Sequence, residues 1–130
     1  MIRVNVKKQA HYPVNSKKLK TSLRNFFQAQ GIVSDAEVSV AIVGKAKMLE
    51  YGKDYLQEKG DKLHNVLSFT PEETKGKFVY PPDGLLHLGE IVICYPKLLE
   101  EAQEEGVLID EKAIELAVHA ATHLMGIHHT

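Results

Sequence analysis

From Asp110 to Met125 the chain reads D-E-K-A-I-E-L-A-V-H-A-A-T-H-L-M, with no glycine or proline. Alanine and leucine, the strongest helix formers, dominate it. Asp110 is the expected cap, and the helix is expected to run to Met125. Ala113, Ile114, Leu116, Ala117, Val118, Ala120, Ala121 and Leu124 fall on all sides of it, a pattern that predicts a largely buried helix. A fold that can hold such an element needs a sheet or other helices packed around it.

Two histidines interrupt this apolar helix. His119 and His123 stand four residues apart, so on a helix they share one face. Within a buried element, unpaired polar groups cost about 1–3 kcal/mol each, and one ion bound by both imidazoles removes that cost. Gly126 then lets the chain leave the helix in a left-handed turn, which brings His129 round as a third ligand. His128 is its neighbour and competitor, but the Gly-x-x-His offset favours His129. Three protein ligands leave one position open, the arrangement of a catalytic zinc rather than a closed structural one. The metal site is therefore expected on the C-terminal helix and the turn after it, with one Zn²⁺ per chain.

The remaining elements alternate. Ile2, Val4 and Val6 alternate with polar residues, which is a half-buried strand. After the His11-Tyr12-Pro13 turn, Ser16 is expected to cap a helix running to about Gln30. Glu37 to Val43 is a second strand, and Lys45 to about Leu56 a helix interrupted by Gly52. Asn65 to Phe69 is a short strand, and Thr74 to Gly84 a loop rich in turn residues. Leu88 to Cys94 is a further strand, expected at the centre. Pro96 suits the first turn of a helix ending at Gly106. The fold class is α/β (α+β): a single domain over residues 1–130, with one mixed sheet of about four strands packed by four to five helices.

With Lys+Arg 16 against Asp+Glu 17, the net charge of −1 gives no global attraction to nucleic acid. Binding to a polyanion would rest on local clusters, for which Lys17, Lys18, Lys20, Arg24, Lys45, Lys47 and Lys53 are the candidates. Cys94 is the single cysteine, so no intramolecular disulfide forms, and its apolar neighbours make it a buried strand thiol. No leader-like segment opens the chain, and no apolar run approaches the ~20 residues that span a bilayer. A cytoplasmic protein without membrane partners is expected. His11, His64 and His87 lie in or beside loops and read as solvated or locally bonded side chains.

The histidine spacing is close to the zinc-peptidase pattern H-E-x-x-H-x-x-G-x-x-H, whose glutamate is the general base. Here that position is Ala120, which accepts no proton, so the metal ligands remain while the peptidase's base is gone.

With that alanine, the chain resembles the YbeY family of endoribonucleases, or rRNA maturation factors. His119, His123, Leu124, Gly126 and His129 match its H-G-x-L-H-L-x-G-Y-D-H motif. Asn65-Val66-Leu67-Ser68-Phe69 is similar to its T-[DN]-V-L-S-F strand, and Leu88 to Cys94 followed by Pro96 to its L-G-D-I-x-I-x-x-P segment. The resemblance runs from about Val38 onward. It implies zinc held by His119, His123 and His129, with Asn65 and Ser68 lining the cleft. It also implies a single-strand-specific endoribonuclease acting on rRNA in ribosome maturation and quality control, with RNA and the ribosome as partners.

The family's Tyr-Arg ahead of this strand falls on Tyr55-Leu56, so its candidate phosphate-binding arginine is missing. Lys53, Lys59 and Lys62 are the nearby substitutes, offering point charges rather than a planar fork. Two other readings stand beside the nuclease: a ribosome-associated factor whose zinc only fixes the fold, and, least favoured, a zinc peptidase.

Overall fold

The computed structural model describes residues 1–57, 62–74 and 84–126. Four strands form one mixed sheet: β1 (Ile2–Lys7), β2 (Ala36–Val43), β3 (Val66–Phe69) and β4 (Leu86–Cys94), in the order β1-β2-β4-β3. β1, β2 and β4 are parallel, and β3 runs antiparallel to β4 at the edge. Four helices complete the described fold: α1 (Ser16–Ala29), α2 (Lys45–Leu56), α3 (Tyr95–Glu105) and α4 (Ile109–Leu124).

The period-two pattern of the strands divides the core in two. Val4, Val38, Val40, Ile91 and Ile93 face one side, where Leu19, Leu23 and Phe27 of α1, Leu98 of α3 and Ala117 and Ala121 of α4 cover them. Val92, Cys94 and Phe69 face the other, under Met48 of α2 and, at its margin, Tyr51 and Tyr55. β4 is thus buried on both faces, which is why its sequence is nearly continuous in apolar residues and why it lies inside the sheet. Cys94 is fully buried, and burial pushes its thiol pKa up.

Two helix starts differ from the expected ones. Asn15, not Ser16, caps α1, its Oδ1 accepting the Lys18 N–H at 3.1 Å. Asparagine is an equally good cap, and Ser16 becomes the first helical residue. Asp110 does not cap α4 either: Leu108 holds that position and Asp110 lies in the first turn. Its Oδ1 instead accepts the backbone N–H of Asn15 at 2.8 Å, tying the starts of α1 and α4 together. Gly52 is buried within an unbroken α2. The expected loop from Thr74 to Gly84 lies largely outside the described residues, as do Lys59 and His129.

β4 carries a bulge between its pairings with Glu37 and Val38, and Gly89 follows it with φ +135°. Few side chains tolerate that backbone. The bulge lets the strand pass beneath the end of α4, which packs on β3 and β4.

A candidate metal and substrate cleft

The carboxyl-terminal half of α4 lies beside edge strand β3, and a cleft of about 530 Å³ opens between them. β3 supplies Val66, Leu67 and Ser68 to its wall, with Asn65 just ahead of it; α4 supplies Leu116, His119, Ala120, Thr122 and His123; Leu56 ends α2 at its margin. The volume is that of a small-ligand or single-nucleotide site. Expected site residues His119, His123, Asn65 and Ser68 are all brought together here. Lys53 and Lys62 are exposed on the surface and do not line the cleft. His11 is exposed against Tyr12, and His87 lies 3.8 Å from Glu37 on the sheet, so neither joins the site.

The histidines do not sit in a buried environment as the apolar composition of α4 predicts. His119 is exposed and the His123 side chain is 47% exposed, whereas Ala113, Ala117, Ala120 and Ala121 take the core side. Small alanines let α4 approach the sheet closely, and one stripe is left to solvent. The histidines therefore face the cleft by placement, without the desolvation cost that would have demanded an ion. Gly126 does adopt the expected left-handed turn, with φ +72°.

A carboxylate that the sequence reading lacked stands in this cleft. Glu73 Oε1 lies 3.1 Å from His123 Nε2. It is held there by a capping box on the turn after β3: Thr70 N–H donates to Glu73 Oε1 at 2.9 Å, and Glu73 N–H donates to Thr70 Oγ1 at 3.3 Å. Thr74, fully buried, donates its hydroxyl to the Pro71 carbonyl at 3.2 Å and pins the same turn. Burial works to raise the Glu73 pKa, but hydrogen bonds from Thr70 and His123 outweigh it and the net shift is downward. The signal was present as T-P-E-E, a Ser/Thr-x-x-Glu box directly after the β3 strand.

Asn65 is fixed from behind. Its Oδ1 accepts the Val66 N–H at 2.7 Å, and its Nδ2 donates to Glu101 Oε1 at 3.2 Å. Glu101 lies 3.8 Å from the Lys112 ammonium, which Glu105 and Glu115 also contact. A buried cation on α4 thus steadies the rear wall of the cleft.

The model of the family described as Endoribonuclease YbeY matches residues 3–130. The chain belongs to the YbeY family. A curated YbeY endoribonuclease of Moorella thermoacetica is 36% identical over 127 residues, covering 93% of this chain and 80% of that protein. One from Azoarcus is 36% identical over 115 residues, covering 85% of this chain; the chain spans 42% of that relative's length. In fold, the chain is similar to a solution structure of a Thermotoga maritima protein. The TM-score is 0.58 at 23% identity, over 100% of this chain and 75% of the other. That likeness agrees with the α/β sheet and helix arrangement described above.

The YbeY-type histidines suit a divalent cation chemically, since imidazole is a preferred zinc ligand. Among the described residues no three His, Cys, Asp or Glu side chains are grouped so as to hold an ion. His119 and His123 therefore need a further donor, and the matching His129 lies outside those residues.

Proposed function

We propose that this chain is a metal-dependent, single-strand-specific endoribonuclease acting on rRNA during ribosome maturation and quality control. One observation carries the reading: His119 and His123 are presented one helical turn apart, and open to solvent, in the cleft whose other wall is Asn65 and the start of β3. His119, His123 and His129 are the residues that would hold zinc. When bound, the ion supplies Lewis acidity toward a phosphoryl oxygen and lowers the pKa of water. The chain's own residues do the rest. Ser68 offers a hydroxyl to the substrate backbone, and Asn65 is locked in place by Glu101.

The exposure of the two histidines also weighs against a zinc that only fixes the fold, because the core beneath α4 closes on its alanines. Ala120 stands where a zinc peptidase carries its general-base glutamate and has no group to accept a proton, which weighs against the peptidase. RNA as substrate follows from the family, and the ribosome as partner and the cytoplasm as site of action belong to the same proposal. Among the described residues no helix is long and apolar enough to cross a membrane.

The test is cleavage of a single-stranded RNA by the zinc-loaded chain, with His119→Ala as control. Cleavage that disappears in the variant, with circular dichroism unchanged, supports the reading. Intact RNA after incubation with fully loaded wild-type protein rejects it.

A further inference from the structure

Resting on the metal reading above, we propose that Glu73 is the anionic partner of the cation held at His123, and that the Thr70 capping box is the device that positions it. A zinc ion bound through Nε2 stands about 2.0–2.1 Å from that atom. Because Glu73 Oε1 lies 3.1 Å from the same nitrogen, the ion and the carboxylate oxygen are at most about 5 Å apart by the triangle rule.

Two opposing effects follow, and their sizes decide between them. The present Glu73–His123 contact must rearrange to admit an ion, which works against binding. That contact is half-exposed on both sides, at 47% and 46%, so it resists weakly. The attraction between a dication and a carboxylate at this range is twice that of two unit charges under the same solvent screening. Attraction wins, so Glu73 strengthens cation binding rather than blocking it.

The carboxylate does not wander into place. It is fixed by the reciprocal Thr70 bonds and by buried Thr74, so the entropic cost of positioning it is met during folding. No other acidic side chain lines the cleft among the described residues. Glu73 therefore sets the charge that the cation meets, and with it the preference for a divalent ion over a monovalent one.

The test measures Zn²⁺ affinity of the full-length protein by competition with a chelating dye, together with the visible absorption of the Co²⁺-substituted form. Glu73→Gln keeps the side chain's shape and removes its charge; it is expected to weaken Zn²⁺ binding tenfold or more and to alter the Co²⁺ bands. Thr70→Ala removes the hydroxyl that accepts the Glu73 N–H and keeps the backbone N–H bond to the carboxylate, so it loosens the turn and is expected to weaken binding by a smaller factor. Unchanged or tighter binding in Glu73→Gln overturns this inference and leaves the histidine site standing. Failure of the wild-type chain to take up Zn²⁺ overturns both readings.

Discussion

Gly89 and Leu124 meet where the last helix crosses the sheet. A Cβ on Gly89 would stand 2.8 Å from Leu124 Cδ2 and 2.3 Å from the Phe69 carbonyl oxygen. The leucine could shift, but the β3 backbone could not without breaking its pairing with β4. The backbone at φ +135° is itself closed to most side chains.

Gly89→Ala is accordingly expected to destabilise the fold by about 3 kcal/mol, combining backbone strain with overpacking. Urea denaturation checks this. Because Leu124 directly follows His123, the variant should also bind Zn²⁺ less tightly even where it remains folded. An unchanged midpoint would mean that the bulge is not needed to seat α4.

The exposure of the histidines gives a second prediction. Both side chains are exposed, so in metal-free protein His119→Ala and His123→Ala are each expected to shift stability by no more than about 0.5 kcal/mol. Stripping metal with a chelator should lower the melting temperature only by the lost binding energy and leave the far-ultraviolet circular dichroism intact. Unfolding on chelation would identify a structural ion instead.

Lys112 is the one buried cation among the described residues, 7% exposed, with carboxylates of Glu101, Glu105 and Glu115 around it. The hydrogen bonds that its ammonium donates to Glu105 and Glu115 raise its pKa above the ordinary 10.5. A raised ammonium pKa contributes stability that is fully present below the unfolded value and is lost only as pH climbs through the folded one. The contribution is therefore constant across neutral pH and fades only in strong alkali. Lys112→Met leaves three carboxylates facing one another and is expected to cost about 1–3 kcal/mol at pH 7, the partial exposure of the glutamates moderating the loss. Paired denaturation curves of the variant and the wild type at pH 7 would show the deficit.

The sheet and helices were legible because β1 and β2 repeat their apolar residues at period two, β4 is a nearly continuous apolar run, and each helix ends at a glycine or a polar turn. What was not legible arose from contacts between segments distant in sequence. Asp110 looks like a cap because nothing local shows that it will bond Asn15, far away in the chain. The apolar residues of α4 suggested burial on every side, yet only the packing decides that the stripe through His119 and His123 is left open. The Thr70-x-x-Glu73 box was readable as a local turn, but its meaning depends on α4 arriving beside it. The three histidines and the β3 motif, by contrast, are contiguous signals, and Asn65, Ser68, His119 and His123 line one cleft.

The same dependence on distant partners makes a last prediction at Asn65. The family motif admits aspartate or asparagine there, but in this chain Nδ2 donates to Glu101 at 3.2 Å while Oδ1 accepts the Val66 N–H. Asn65→Asp keeps the second bond and replaces the first with two carboxylates in contact, which raises the pKa of the pair in the folded state. A carboxylate raised on folding carries no penalty where both states are protonated and an increasing one as pH rises above the unfolded value, about 3.9 for aspartate. The variant should therefore match the wild type near pH 4 and fall below it by about 1–2 kcal/mol at pH 7, the cost of leaving a half-buried charged acceptor without its donor. Denaturation of both proteins at the two pH values checks the sign. Equal stability at pH 7 would show that Lys112 absorbs the added charge through Glu101.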